Sequence, residues 1–185
     1  MIRAWEILNR KTLHDFKLMQ IETKEVRSPR TGNTADVLAM HFPAWVVVLA
    51  VTTAQEVVMV RQYRHGSEKI HLELPGGLVD PEDPSPIAAA RRELLEETGY
   101  GTRDFRIMGE CYPQPAILSN KCFFCLAMGA ECQQALALDE GEDLEVDKMP
   151  MTRVLSKING DSIDNGMTLL AFYYFWMHQK TKKDT

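Results

Sequence analysis

Residues 91–100 read RRELLEETGY and place Glu93, Glu96 and Glu97 within five positions. Upstream, Ser85 is suited to cap a helix and Pro86 to occupy its first position, while Gly99 suits its end, so the pattern predicts a helix over 86–98. On such a helix the three carboxylates fall within an arc of about 100°, and Ile87, Ala90 and Leu94 form a separate apolar stripe. Like charges four residues apart cost about 0.2–0.5 kcal/mol even in water, so a cation must offset the crowding. Arg92 is spaced to pair with Glu96, which leaves Glu93 and Glu97 adjacent and unmatched. A hard divalent ion such as Mg²⁺, bound through carboxylate oxygens and water, would turn that repulsion into a binding site. The ordinary alternative for a lone Glu-x-x-Glu-Glu is a solvated charged face.

Working outward, the stretch Leu74-Pro-Gly-Gly-Leu-Val-Asp-Pro-Glu-Asp83 supplies a glycine turn and an acidic loop directly before the helix. Gly77 together with Arg92–Tyr100 resembles the Nudix box, Gly-x5-Glu-x7-Arg-Glu-apolar-x-Glu-Glu-x-Gly-apolar. The second half matches at every specified position, including Gly99. The first half carries one extra residue: counting from Gly77 reaches Asp83, whereas counting from Gly76 reaches Glu82. Either acid can stand for the first one of the box.

Composition narrows the classes. The 185 residues are 45% hydrophobic and 25% charged, enough for one domain with a true core plus a small appendage. A net charge of −5 argues against a nucleic-acid partner, which needs clustered Lys and Arg. The longest apolar run, Met167 to Met177, is half a membrane span and reads as core helix, so no membrane partner is expected. Four cysteines without a secretory leader suggest reduced thiols and a cytoplasmic location. Cys122 and Cys125 have metal-site spacing, but on a strand their sulfurs point to opposite faces and no second pair completes a zinc site. His65, His71 and His178 do not cluster in sequence and read as ordinary histidines.

Residues 1–42 alternate apolar and polar pieces around a turn at Pro29 and Gly32, which predicts a small strand subdomain. Buried strands follow at 44–51 and 56–61, a short one at 70–74, another apolar strand at 121–128, and a terminal helix over about 164–179. Strands on both sides of a helix, with a second helix at the end, indicate an α/β (α+β) arrangement with a mixed sheet between helices. The resemblance implies the same: a Nudix α/β/α sandwich over 43–185, with residues 1–42 as a dimerisation subdomain that swaps across a two-fold axis.

The resemblance further implies Mg²⁺- or Mn²⁺-dependent hydrolysis of a nucleoside diphosphate derivative. Carried onto this chain, Glu93 and Glu97 become the main metal ligands, Glu96 a ligand reached partly through water, and the Gly76 carbonyl a backbone ligand. Arg92 becomes structural, as do Gly77 and Gly99. Pro115 lies 15 residues beyond Tyr100, a spacing similar to that of the ADP-ribose pyrophosphatase subgroup. Val60-Arg-Gln-Tyr-Arg-His-Gly66 resembles the subgroup's strand before the box, which makes Arg64 the candidate for the substrate's phosphates. The acidic stretch 138–146 sits where the subgroup carries its general base, so Glu140 and Glu142 are the candidates there. Trp5 and Arg27 are candidate contacts to the base bound by the partner of a homodimer. The implied reaction is cleavage of a nucleotide sugar, ADP-ribose to AMP and ribose 5-phosphate. Alternatives are a GDP-sugar or a dinucleotide as substrate, or a sensor that binds a nucleotide sugar without cleaving it.

Overall fold

The computed structural model describes residues 1–138, 143–160 and 162–181. The chain divides into two compact units, Met1–Ala44 with Tyr112–Lys121, and Trp45–Cys111 with Cys122–Thr185.

The first unit is an antiparallel three-stranded meander of β1 (Glu6–Asp15), β2 (Gln20–Arg27) and β3 (Thr34–His41). The turn expected at Pro29–Gly32 joins β2 to β3, with Gly32 at φ +76. The segment 112–121 docks on β3, where Met40 and Ser119 exchange hydrogen bonds with the opposite backbone. This segment is remote in sequence from the meander, which explains why the sequence alone assigns it to the other unit.

The second unit comprises β4 (Trp45–Thr52), β5 (Glu56–Arg64), β6 (Lys69–Glu73), α1 (Pro86–Thr98), the two-residue β7 (Tyr100–Gly101), β8 (Asp104–Cys111), β9 (Cys122–Cys132), β10 (Leu144–Pro150), α2 (Met151–Asn159) and α3 (Gly166–Thr181). Its sheet runs β10-β5-β4-β9-β7, with β6 on β5 and β8 on β9. The β4–β9 pair is parallel and its neighbours are antiparallel, giving the mixed sheet that the sequence predicts. β4 reads as a continuous apolar run because both faces are buried. Val46, Val48 and Ala50 pack with Ala89, Ala90 and Leu94 of α1, while Leu49 and Val51 join Val154 of α2 and Ala171 and Phe172 of α3. Cys122 and Cys125 fall in these two opposite cores, as the alternation requires, and burial pushes both thiols up to about 12. The apolar stretch 167–177 is core along one stripe only: Tyr173, Trp176 and Met177 are exposed.

Helix α1 has the predicted ends. Ser85 Oγ accepts the Ala88 N–H at 3.2 Å, and Gly99 closes the helix in the left-handed conformation. Four elements, β7, β8, β10 and α2, were not expected, and β10 begins at Leu144, inside the stretch that reads as an acidic loop.

Candidate active site

The acidic face of α1 rests on the turn that follows β6. This turn is pinned to β4, since Val48 N–H donates to the Pro75 carbonyl and Val46 N–H to the Gly77 carbonyl, each at 2.9 Å. Gly76 adopts φ +157, and a Cβ there would lie 2.1 Å from the Val46 carbonyl oxygen, so only glycine fits. Gly76 N–H donates to Glu97 Oε2 at 2.8 Å, and the Gly76 carbonyl accepts no hydrogen bond among the described residues. Gly77 leaves room for the Glu93 carboxylate, which would stand 2.4 Å from any Cβ at that position. Glu93 and Glu97 are thus nearly sealed, 8% and 2% exposed, with their heads against one glycine turn.

Arg92 organises the acidic loop. Its Nη2 donates to the Leu78 carbonyl at 3.0 Å and to Asp83 Oδ2 at 2.9 Å, and lies 3.2 Å from Asp80. Its Nη1 donates to Glu93 Oε1 at 3.0 Å and Glu96 Oε2 at 3.1 Å. The pairing with Glu96 is as the spacing predicts. The expectation that Glu93 is left unmatched is corrected: a guanidinium presents a fork of donors and reaches adjacent helix positions at once. Of the two candidates for the first acid of the box, Asp83 and not Glu82 faces Arg92, beside Asp80; Glu82 is exposed. Hydrogen bonding to Arg92 outweighs burial and holds the Asp83 carboxyl below the usual range, with help from the Asp80 N–H.

The same turn lines a cleft of about 470 Å³, within the range of small-molecule sites. Trp45, Leu74 and Met167 provide apolar wall; Arg64, Glu73 and Asn165 provide polar wall. Glu93 and Glu97 do not themselves line this cleft, and the Gly76–Gly77 turn is the element common to both. Arg64 Nε donates to Glu73 Oε1 at 2.7 Å. On the same wall His71 bridges Asp164, 2.7 Å from Nδ1, and Ser67, 2.6 Å from Nε2. That bond to His71 holds the Asp164 carboxyl below its ordinary range.

Sequence reading missed Glu73, Asn165 and the cleft placement of His71. Period-2 alternation sends Glu73 to the face opposite Leu72 and Leu74, and only the sheet's burial on both sides makes it interior. The remaining candidates lie elsewhere. Arg27 pairs with Glu6 at 2.9 Å in the first unit, where Trp5 and Pro115 line a groove of about 670 Å³. Glu140 and Glu142 lie outside the described residues. Among the described residues no three His, Cys, Asp or Glu side chains converge closely enough to hold a metal by themselves, and no helix is long and apolar enough to cross a membrane.

Comparison with known proteins accords with this geometry. A methanol dehydrogenase activator from Bacillus methanolicus is 28% identical over 90% of this chain and 89% of its own length. A GDP-mannose pyrophosphatase from Citrobacter koseri is 35% identical over 65% of this chain and 66% of its own, and one from Escherichia coli O1:K1 is 32% identical over 71% and 72%. The fold matches the crystal structure of an ADP compounds hydrolase with a TM-score of 0.85, at 22% identity, over 98% of this chain and 97% of that one. With the NUDIX domain model matching residues 40–168, a span that contains the glycine turn, the acidic loop and the whole of α1, the chain belongs to the NUDIX domain family and is a Nudix pyrophosphohydrolase.

Proposed function

We propose that the chain hydrolyses the diphosphate bridge of a nucleoside diphosphate sugar with Mg²⁺ or Mn²⁺, ADP-ribose giving AMP and ribose 5-phosphate. The observation that carries this reading is the sealed Glu93–Glu97 pair held against a glycine turn whose other contacts line a cleft containing Arg64.

The donor set fits a hard divalent ion. Such ions take oxygen ligands, keep several waters and use one or two protein carboxylates plus substrate phosphates. Glu93, Glu97 and the Gly76 carbonyl would hold the ion, with Glu96 engaged through water. Bound there, it supplies charge screening and a more acidic water. The chain does the rest. Arg92 fixes the rotamers of Glu93 and Glu96 through its two Nη1 bonds. Arg64 presents positive charge to the bridge. In the reaction a water oxygen bonds to one phosphorus while the bond from that phosphorus to the bridging oxygen breaks; both products leave as phosphate monoesters. Glu142 or Glu140 takes the proton of the water.

Likeness to the GDP-mannose pyrophosphatases at 31–35% identity favours a GDP-sugar as the second reading. Exposed Trp5, Val37, Leu38 and Ile117 support the homodimer, in which Trp5, Arg27 and Pro115 serve base recognition. Four free thiols support the cytoplasmic placement.

The test is a turnover screen of ADP-ribose, GDP-mannose and dinucleotides with Mg²⁺. AMP release from ADP-ribose, abolished in Glu97→Gln, is expected. Hydrolysis of another compound roughly a hundredfold more efficiently displaces ADP-ribose, and binding without any turnover establishes a sensor.

A further inference from the structure

Glu73 has no part in the reaction just described, yet it is 2% exposed, as sealed as Glu97. A lone carboxylate at such a site is strongly disfavoured, so what engages its oxygens defines its role. Oε1 accepts Arg64 Nε–H at 2.7 Å, and Oε2 accepts a very short hydrogen bond from Asn165 Nδ2. Both oxygens are thus engaged by donors of the protein.

The commitment has a direction. Arg64 ends β5 with its side chain 46% exposed in the cleft, and it spends only Nε on Glu73. Its two terminal nitrogens meet no protein partner among the described residues. A guanidinium gripped by Nε offers its outer edge, the pair of nitrogens that matches two phosphate oxygens. Asn165 is itself oriented: its Oδ1 accepts the Thr168 N–H at 2.9 Å at the start of α3, which turns Nδ2 towards Glu73. Thr168 Oγ1 accepts Leu74 N–H at 3.1 Å, so the end of β6 is clipped to the start of α3 on both sides of the carboxylate.

We propose that Glu73, backed by Asn165, is a positioning residue that fixes Arg64 with its outer edge towards the diphosphate bridge. The proposal rests on the reading that this bridge binds beside Arg64, and the test separates the two. Steady-state kinetics on ADP-ribose and GDP-mannose are compared for Glu73→Gln, Glu73→Asp, Asn165→Ser, Arg64→Ala and the Glu73→Gln/Arg64→Ala double variant. Glutamine cannot accept from both donors, so Glu73→Gln is expected to raise KM roughly tenfold or more with a smaller change in kcat. Glu73→Asp recovers part of the loss, and the double variant is no worse than Arg64→Ala alone. Asn165→Ser keeps a helix-capping oxygen but loses the donor, and raises KM in the same direction. Independently of turnover, the Arg64 Nε–Hε signal in ¹⁵N-edited NMR is slow to exchange in the parent protein and loses that protection in Glu73→Gln and Asn165→Ser.

A KM raised in Arg64→Ala but unchanged in Glu73→Gln overturns the positioning role and leaves the phosphate role of Arg64 standing. Unchanged kinetics in Arg64→Ala overturn that phosphate role instead. Multiplying effects in the double variant show Glu73 acting apart from Arg64 and overturn the proposal. If neither compound is turned over, or if Glu73→Gln does not fold, the Nε–Hε signal of Asn165→Ser decides, and retained protection there overturns it.

Discussion

Replacing Gly77 by alanine separates the stability of the glycine turn from its chemistry. A Cβ at residue 77 would stand 2.4 Å from Glu93 Oε1 and 2.6 Å from its Cδ, against an ordinary contact that begins at 3.4 Å. The carboxylate must therefore withdraw by about 1 Å. The obstructing atoms end a flexible side chain rather than belonging to backbone, so the folding cost falls near the low end of overpacking, about 1 kcal/mol. For a chain of this length that lowers Tm by roughly 2–4 °C. Catalysis has no such tolerance: a 1 Å misplacement of a reacting constellation costs on the order of a hundredfold in rate. Gly77→Ala should accordingly melt almost normally, bind Mn²⁺ more weakly by calorimetry, and lose about two orders of magnitude in kcat/KM. Gly76→Ala should behave in the opposite sense. Its Cβ would meet the Val46 carbonyl oxygen at 2.1 Å, and backbone cannot retreat, so overpacking and a strained φ together cost about 3 kcal/mol or more. A Gly77→Ala protein with unaltered Mn²⁺ affinity and turnover would refute the placement of Glu93 at the metal.

Asp83→Asn should destabilise the protein by about 1–3 kcal/mol at neutral pH, and Glu82→Gln by almost nothing. The Asp83 carboxyl is held below its ordinary value by Arg92, so its contribution is full above the unfolded pKa and is lost as pH falls through the lower folded one. Urea midpoints of parent and Asp83→Asn should therefore converge below about pH 4, and a gap undiminished at about pH 2.5 would contradict the ion pair. Ser85→Ala removes the cap of α1 and should cost about 1 kcal/mol in thermal unfolding while leaving kcat intact, because the helix register is also fixed by Arg92. Iodoacetamide on the folded protein should modify exposed Cys132 first by mass spectrometry, with Cys122 and Cys125 protected by burial and by thiols pushed up to about 12.

What could be read from the chain alone follows from the range of the interactions involved. Helix α1, its Ser85 cap and its Gly99 end are set by neighbours within four residues, and they emerge from the sequence to the residue. The strands β4 and β9 are legible because a sheet covered on both faces demands unbroken apolar runs. Strand β8, with Arg106 and Glu110 among its residues, has no such run, and only its pairing with β9 makes it a strand. In the site, the acids of α1 carry their own signal through like-charge crowding. The choice between Glu82 and Asp83 does not, because one extra loop residue can bulge at either place and only the reach of Arg92 decides. Glu73 and Asn165 stand 92 residues apart, and no local pattern announces a contact of that separation. His71 is a similar case: its meaning comes from Asp164, 93 residues away and just before α3.

The crowding on α1 is met by contacts within the protein. Among the described residues Arg92 faces Asp80, Asp83, Glu93 and Glu96, and Gly76 N–H donates to Glu97. These contacts suffice to fix where the side chains point, since each is short and several are sheltered from water. The geometry of the acidic face is thus built by the chain, through a guanidinium, two glycines and a sheet that anchors the turn, and on the proposed reading a divalent cation and an anionic substrate meet a face already shaped. On that reading the site asks a metal for charge and chemistry rather than for architecture, and Gly77 and Arg92, which the proposal does not make ligands, matter as much to it as the carboxylates they hold.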